Sequence, residues 1–265
     1  MNNATRLSYR PGGRPALRRA RARSAGLPPI MLAALGAGLA FVLALALWPP
    51  APAPMPSGSV LLVDESDSMP VGDAAYVEPI LDALFGGVTY GSSIDVFIVG
   101  NNDQTGHLRI EIPSEGDNIA AYTQAHEKMK GARAAVKAFL DASARGPKAN
   151  GTNIIDTLRR IAPGPGLKVM IASDGLEASS LVNLEATKVT DQNRRKIVAR
   201  AAAGFPPDLL AQSKIQFVIP ASAANSRCKY ANDRRRLEGF WGAFFARVAP
   251  SSKLVSFDTT PVQWR

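Results

Sequence analysis

Val60-Leu61-Leu62-Val63 followed by Asp64-Glu65-Ser66-Asp67-Ser68-Met69 is the stretch that decides the fold. A short uninterrupted apolar run reads as a strand buried on both faces, and the residues after it put a carboxylate and two hydroxyls at its carboxyl end. Hard oxygen donors crowded at a strand end suit a divalent cation: Mg²⁺ takes six oxygens and keeps several waters, so this loop supplies half a site and other loops supply the rest. Taken alone, Asp and Ser after a strand also make an ordinary turn or helix cap.

Two later segments complete the set. Gly151-Thr152-Asn153-Ile154-Ile155-Asp156-Thr157-Leu158 opens a helix with a threonine on the loop before it, and Lys168-Val169-Met170-Ile171-Ala172-Ser173-Asp174-Gly175 is a second apolar strand ending in a carboxylate. In a doubly wound sheet, the strand ends beside the topological switch point share one crevice, where Asp64, Ser66, Ser68, Thr152 and Asp174 are expected to meet.

These three pieces, in this order, resemble the metal-ion-dependent adhesion site of the von Willebrand factor A (VWA) domain family: Asp-x-Ser-x-Ser, a Thr in a Gly-Thr loop, and a strand-end Asp-Gly. The resemblance covers about residues 58 to 258. It implies a doubly wound, mostly parallel six-stranded sheet with helices on both faces, and Ser66, Ser68 and Thr152 as hydroxyl ligands. Asp64 and Asp174 would be held in the site largely through waters. The implied ion is Mg²⁺, with Mn²⁺ or Ca²⁺ as alternatives, and the implied partner is a protein offering an acidic side chain to the metal. The variable positions of the first loop depart from the family pattern, since they are Glu65 and Asp67; both are expected to point into solvent, the alternative being that either leans inward, where it would tighten cation binding and repel an acidic partner.

The charge of +9 is not a nucleic-acid signature. Arg6, Arg10, Arg14, Arg18, Arg19, Arg21 and Arg23 precede every acidic residue, and the remaining 24 basic against 22 acidic side chains leave only +2. Residues 1–26 are therefore a basic tail. After them, residues 27–48 contain the uncharged run from Ile30 to Trp48, long enough for a membrane span of about 20 residues. Arginines on one side predict a cytoplasmic amino terminus and an extracytoplasmic domain, periplasmic in a bacterium. The apolar run exceeds the core of a cleaved signal peptide, which favours a retained anchor. Residues 49–57 are a Pro/Ala-rich spacer in which Pro49 to Pro56 reads as polyproline II of roughly 25 Å at about 3.1 Å per residue. The domain proper is 58–265.

Within it, helices are expected over Ala74 to Phe85, from a cap at Asp117 through Ala142, and near Arg234 to Val248. The stripe of the middle helix is Ile119, Tyr122, Met129, Val136, Phe139 and Leu140. Strands are expected at Ser93 to Val99, His107 to Ile112 (an antiparallel edge), Lys214 to Ile219 and Leu254 to Phe257. Phe240, Trp241, Phe244, Phe245 and Val248 have the helical spacing of a core-facing stripe. Arg234 to Arg236 reads as a solvated run, and Leu176 to Asn193 as a polar connection beside the site. Cys228 is the only cysteine, so an intrachain disulfide is excluded. His107 and His126 lack metal-ligand spacing and read as packing or surface residues.

The leading functional expectation is a non-enzymatic, membrane-anchored module that binds a protein partner through the metal. A phosphatase-like hydrolase using the same crevice is the alternative; Ser66 stands where such an enzyme needs its second carboxylate, and no Gly-x-Ser-x-Gly elbow is present. A structural envelope protein with a purely stabilising metal is the third reading.

Overall fold

Period-2 alternation, hidden inside the apolar run, divides the core in two. In β1 (Ser59–Asp64), Val60 and Leu62 face one layer while Leu61 and Val63 face the other. The computed structural model describes residues 58–100, 106–116, 118–149, 151–207, 209–221 and 232–264. The other strands are β2 (Ser93–Val99), β3 (His107–Glu111), β4 (Lys168–Ala172), β5 (Lys214–Val218) and β6 (Lys253–Asp258). They form one six-stranded sheet of order β3-β2-β1-β4-β5-β6. Only the β2–β3 pair is antiparallel.

Two helices, α1 (Ala74–Phe85) and α2 (Ile119–Ala144), cover the Leu61/Val63 face. The other face is covered by α3 (Ile154–Arg159), α4 (Arg194–Ala201) and α5 (Arg234–Val248). The expected doubly wound α/β architecture is what forms. The chain leaves β1 toward β2 and β3 on one side, then crosses to β4 on the other, so the switch point lies between β1 and β4 and opens at their carboxyl ends.

The aromatic stripe of α5 is core: Phe240, Trp241 and Phe244 are fully buried and Phe245 nearly so. Three expectations need correction. The cap of α2 is Asn118, whose side chain accepts the Ala121 N–H at 2.9 Å; Asp117 lies outside the described residues. The first turns of α2 leave the core, with Ile119 86 % and Tyr122 49 % exposed, while Val136 and Leu140 are buried as expected. Tyr122 packs instead against His126 one turn on, with ring centroids 4.1 Å apart. Finally, the 176–193 connection is not merely solvated, because Leu176, Glu177, Val182, Leu184 and Val189 are buried.

The basic tail (1–26), the span (27–48) and the spacer (49–57) lie outside the described residues, as do Asn150 and Cys228. Among the described residues, no helix is long and apolar enough to cross a membrane.

Candidate metal site at the switch point

Parallel pairing of β1 with β4 sets Val63 beside Ala172, so the next residues of the two strands, Asp64 and Ser173, emerge side by side. Ser173 Oγ donates to Asp64 Oδ2 at 2.8 Å. Thr152 Oγ1 donates to the same carboxylate, 3.1 Å from Oδ1 and 3.2 Å from Oδ2. The Ser66 backbone N–H donates to Asp64 Oδ1 at 2.8 Å, which folds the first loop back over the strand end. Ser66 Oγ lies 2.9 Å from Ser68 Oγ, and Ser68 Oγ donates to Asp174 Oδ2 at 2.9 Å. All five expected residues therefore share one hydrogen-bonded network, with Ser173 as a sixth member.

The electrostatics of this network are lopsided. Asp64 is wholly buried and Asp174 is 8 % exposed. Among the described residues neither pairs with any Lys, Arg or His. Burial, and then the neighbouring Asp174, push the Asp64 carboxyl up to about 6. Burial also raises Asp174. The effect reaches Tyr76 on α1, whose hydroxyl is held well above its ordinary range by burial and then by Asp64 and Asp174. Two buried carboxylates facing only hydroxyl and amide donors carry uncompensated negative charge, which in low dielectric is costly unless a cation is supplied. The donor set is oxygen throughout, and no group of three or more His, Cys, Asp or Glu gathers among the described residues. These residues fit a hard divalent ion.

The variable loop positions divide. Asp67 is exposed as expected, but Glu65 is only 7 % exposed, which corrects the expectation that both face water. The chain alternates as it leaves β1, and the Glu65 N–H still bonds Val99 O at 3.3 Å, so this residue is turned inward by the sheet. Burial raises its carboxyl, with Lys148 acting in the opposite direction.

Structures around the network hold its loops. Gly175 has φ +81°, a conformation that favours glycine, and a Cβ there would lie 2.8 Å from Phe257 Cζ. Its carbonyl accepts the Trp241 Nε1–H at 2.8 Å, so the core helix α5 pins the loop that carries Asp174. Glu177, also fully buried, accepts the N–H groups of Ile154 and Ile155 on Oε2 at 2.8 and 3.2 Å. The Ala178 N–H donates to Thr152 O at 2.7 Å. The Thr152 and Asp174 loops are thus tied together. Ser173, Glu177, Tyr76 and Trp241 were not singled out for the site in the sequence. Only Ser173 carried a usable signal, its place beside Asp174 at a strand end.

No protein-family model matches the chain, and no curated protein matches its sequence. Among solved structures, the chain is similar to the conserved hypothetical protein BatB from Bacteroides thetaiotaomicron, at 14 % identity and TM-score 0.35, covering 78 % of this chain and 91 % of that one. It is similar to a von Willebrand factor type A protein from Catenulispora acidiphila at 12 % identity and TM-score 0.34, covering 76 % of this chain but only 38 % of that one. An aerotolerance-related membrane protein from Bacteroides fragilis matches at 11 % identity and TM-score 0.34, over 75 % of this chain and 90 % of that one. Likenesses at these TM-scores do not establish a family.

Proposed function

We propose that this chain is a membrane-anchored VWA-type domain that binds one divalent cation at the switch point and uses it to engage a protein partner outside the cytoplasm. The observation that carries the proposal is the pair Asp64 and Asp174: two buried carboxylates in one network, with no cationic side chain among the described residues to balance them. Ser66, Ser68 and Thr152 would hold the ion through their hydroxyls, with the two carboxylates balancing its charge. The ion would supply a positive centre to which a partner's carboxylate can bind.

This chain's own residues do the positioning. Asp64 orients Thr152, Ser173 and the first loop at once, while Asp174 holds Ser68 through Oδ2 and its own turn through the Leu176 N–H at 3.0 Å on Oδ1. The binding reading is supported by the hydroxyls' partners, which are carboxylates and each other. Ser66 and Ser68 bond each other and Asp174 rather than an imidazole.

The test is thermal unfolding of residues 57–265 with and without Mg²⁺ or Mn²⁺. A ligand present at 100 times its dissociation constant stabilises the folded state by about 2.7 kcal/mol, so the wild-type melting temperature should rise with cation. Asp64→Ala and Asp174→Ala should abolish that rise. Equal shifts in all three proteins would reject the site, and turnover of a phosphate ester abolished by Asp64→Asn would replace the binding function with a hydrolytic one.

A further inference from the structure

Both helical layers carry ion pairs, and on the α3–α5 side Arg159, Arg194, Arg234 and Arg236 pair with Asp156, Asp191, Asp258 and Asp233. On the α1/α2 side, Arg133 pairs with Glu78 and Asp82, and Lys137 pairs with Glu78. On the other side, α4 carries Arg194, Arg195, Lys196 and Arg200 with no acidic residue, and α5 carries four arginines with Glu238 alone. Three of the four basic residues of α4 lie in its first turn, against the positive end of the helix dipole, an arrangement that costs the helix stability.

Three of these arginines line one cleft. Arg194, Arg195 and Arg247 line a cavity of about 320 Å³ between α4 and α5, together with Asp191, Val198 and Ala243. Arg194 belongs to the scaffold of that cleft. Its Nη2 donates to Asp191 Oδ1 at 2.6 Å, and its guanidinium lies over Gly239 of α5, where a Cβ would approach Cζ to 3.3 Å. Arg195 and Arg247 are exposed and have no ion pair or hydrogen bond among the described residues. Two apolar residues also line the cleft, Val198, which is buried, and Ala243, which is half-buried.

We propose that the α4–α5 cleft docks an acidic peptide segment of a protein partner, with carboxylates seated on Arg195 and Arg247 and an apolar side chain against Val198 and Ala243. Guanidinium groups pair with carboxylates through two parallel hydrogen bonds, which favours a defined segment over a diffuse ion cloud. The cavity is lined by guanidinium and apolar groups together, which a side-chain-bearing segment can fill and a flat lipid surface cannot. This surface lies on the outside of a helical layer and does not involve the metal network, so its occupancy is independent of the cation.

The experiment uses the full chain in nanodiscs of uncharged phosphatidylcholine, with a fluorescein-labelled peptide of alternating glutamate and leucine as probe, read by anisotropy. Wild-type protein should bind the peptide, more weakly as salt rises, and equally well in chelator. Arg195→Glu with Arg247→Glu should weaken binding by about tenfold or more. The neutral pair Arg195→Gln with Arg247→Gln should lose an intermediate amount, and the melting temperature of both variants should stay close to wild type. Lys128→Glu with Lys130→Glu on α2 changes the net charge equally and should leave affinity within about twofold. Equal loss in the cleft and α2 variants would reduce the effect to overall charge and overturn the proposal, as would absence of peptide binding. Capture of phosphatidylglycerol-rich vesicles through Arg195 and Arg247, without peptide binding, would also overturn it and make a lipid surface the partner.

Discussion

Replacing Glu177 by glutamine removes a titration from the core while keeping an oxygen that can accept the Ile154 and Ile155 N–H groups. In the wild-type protein this carboxyl is fully buried, and burial pushes it from an ordinary 4.5 up to about 8. A folded-state value above the unfolded one means that the folded protein holds the proton more tightly. The contribution to stability is therefore complete below pH 4.5 and lost progressively until about pH 8. At about 1.4 kcal/mol per pH unit, that window corresponds to a loss of about 5 kcal/mol, a large fraction of the stability of a domain this size.

Glutamine does not titrate, so the stability of wild type relative to Glu177→Gln should fall as pH rises. At the acid end the variant should be the weaker of the two by only about 1 kcal/mol, because the protonated acid already places an O–H at the partnerless Glu177 Oε1 and the amide adds just one more unpaired donor. The two curves should consequently cross. Urea unfolding of residues 57–265 from about pH 5 to about pH 9, in chelator, measures the difference directly. Asp64, which titrates near 6, is common to both proteins and cancels. A flat difference, or a wild type that gains on the variant as pH rises, would refute the assignment of Glu177 as a buried, proton-holding tie between the two loops.

Gly175→Ala should cost about 1–3 kcal/mol, because alanine disfavours φ +81° and its Cβ would press on Phe257, and it should weaken the Mg²⁺-dependent rise in melting temperature as Asp174 shifts. Thr152→Ala should reduce capture of a genuine partner more than it reduces metal uptake, and chelator should release that partner from wild type; capture indifferent to both would argue against a metal-mediated contact. A reporter fused after Arg265 should be active only outside the cytoplasm, with the chain resistant to carbonate washing, whereas a soluble product starting near Ala53 would overturn the anchor.

The legible part of this protein is the part written in strand ends. Asp64 and Ser173 directly follow the apolar runs of β1 and β4, Asp174 stands one residue further on, and the parallel pairing that juxtaposes Asp64 with Ser173 needs only the register of two buried strands. What the sequence hid was the inward residue in a polar context. Glu177 sits in a stretch whose composition reads as solvated, yet it is buried because the first turn of α3 offers two N–H groups that no backbone carbonyl reaches. Glu65 was hidden for a related reason, since a motif position read as variable became, in three dimensions, a continuation of β1 beside Val99.

The site also depends on both layers of the core, which gives the aromatic residues a role beyond packing. From one face Trp241 lays its ring among Phe217, Phe240 and Phe244 and hands its N–H to Gly175 O, just past the end of β4. From the other face Tyr76 extends its hydroxyl to Val218 O at 2.7 Å, at the end of β5. Each is an apolar body with a polar tip, and each tip satisfies a carbonyl at the sheet's carboxyl edge. An error of packing in either layer would therefore be felt at that edge before it was felt elsewhere, because the strands are held by continuous ladders whereas the loop after Ala172 is held by single bonds such as the one from Trp241. Of the two ties, the one from Trp241 acts directly on a charged loop, because Gly175 follows Asp174.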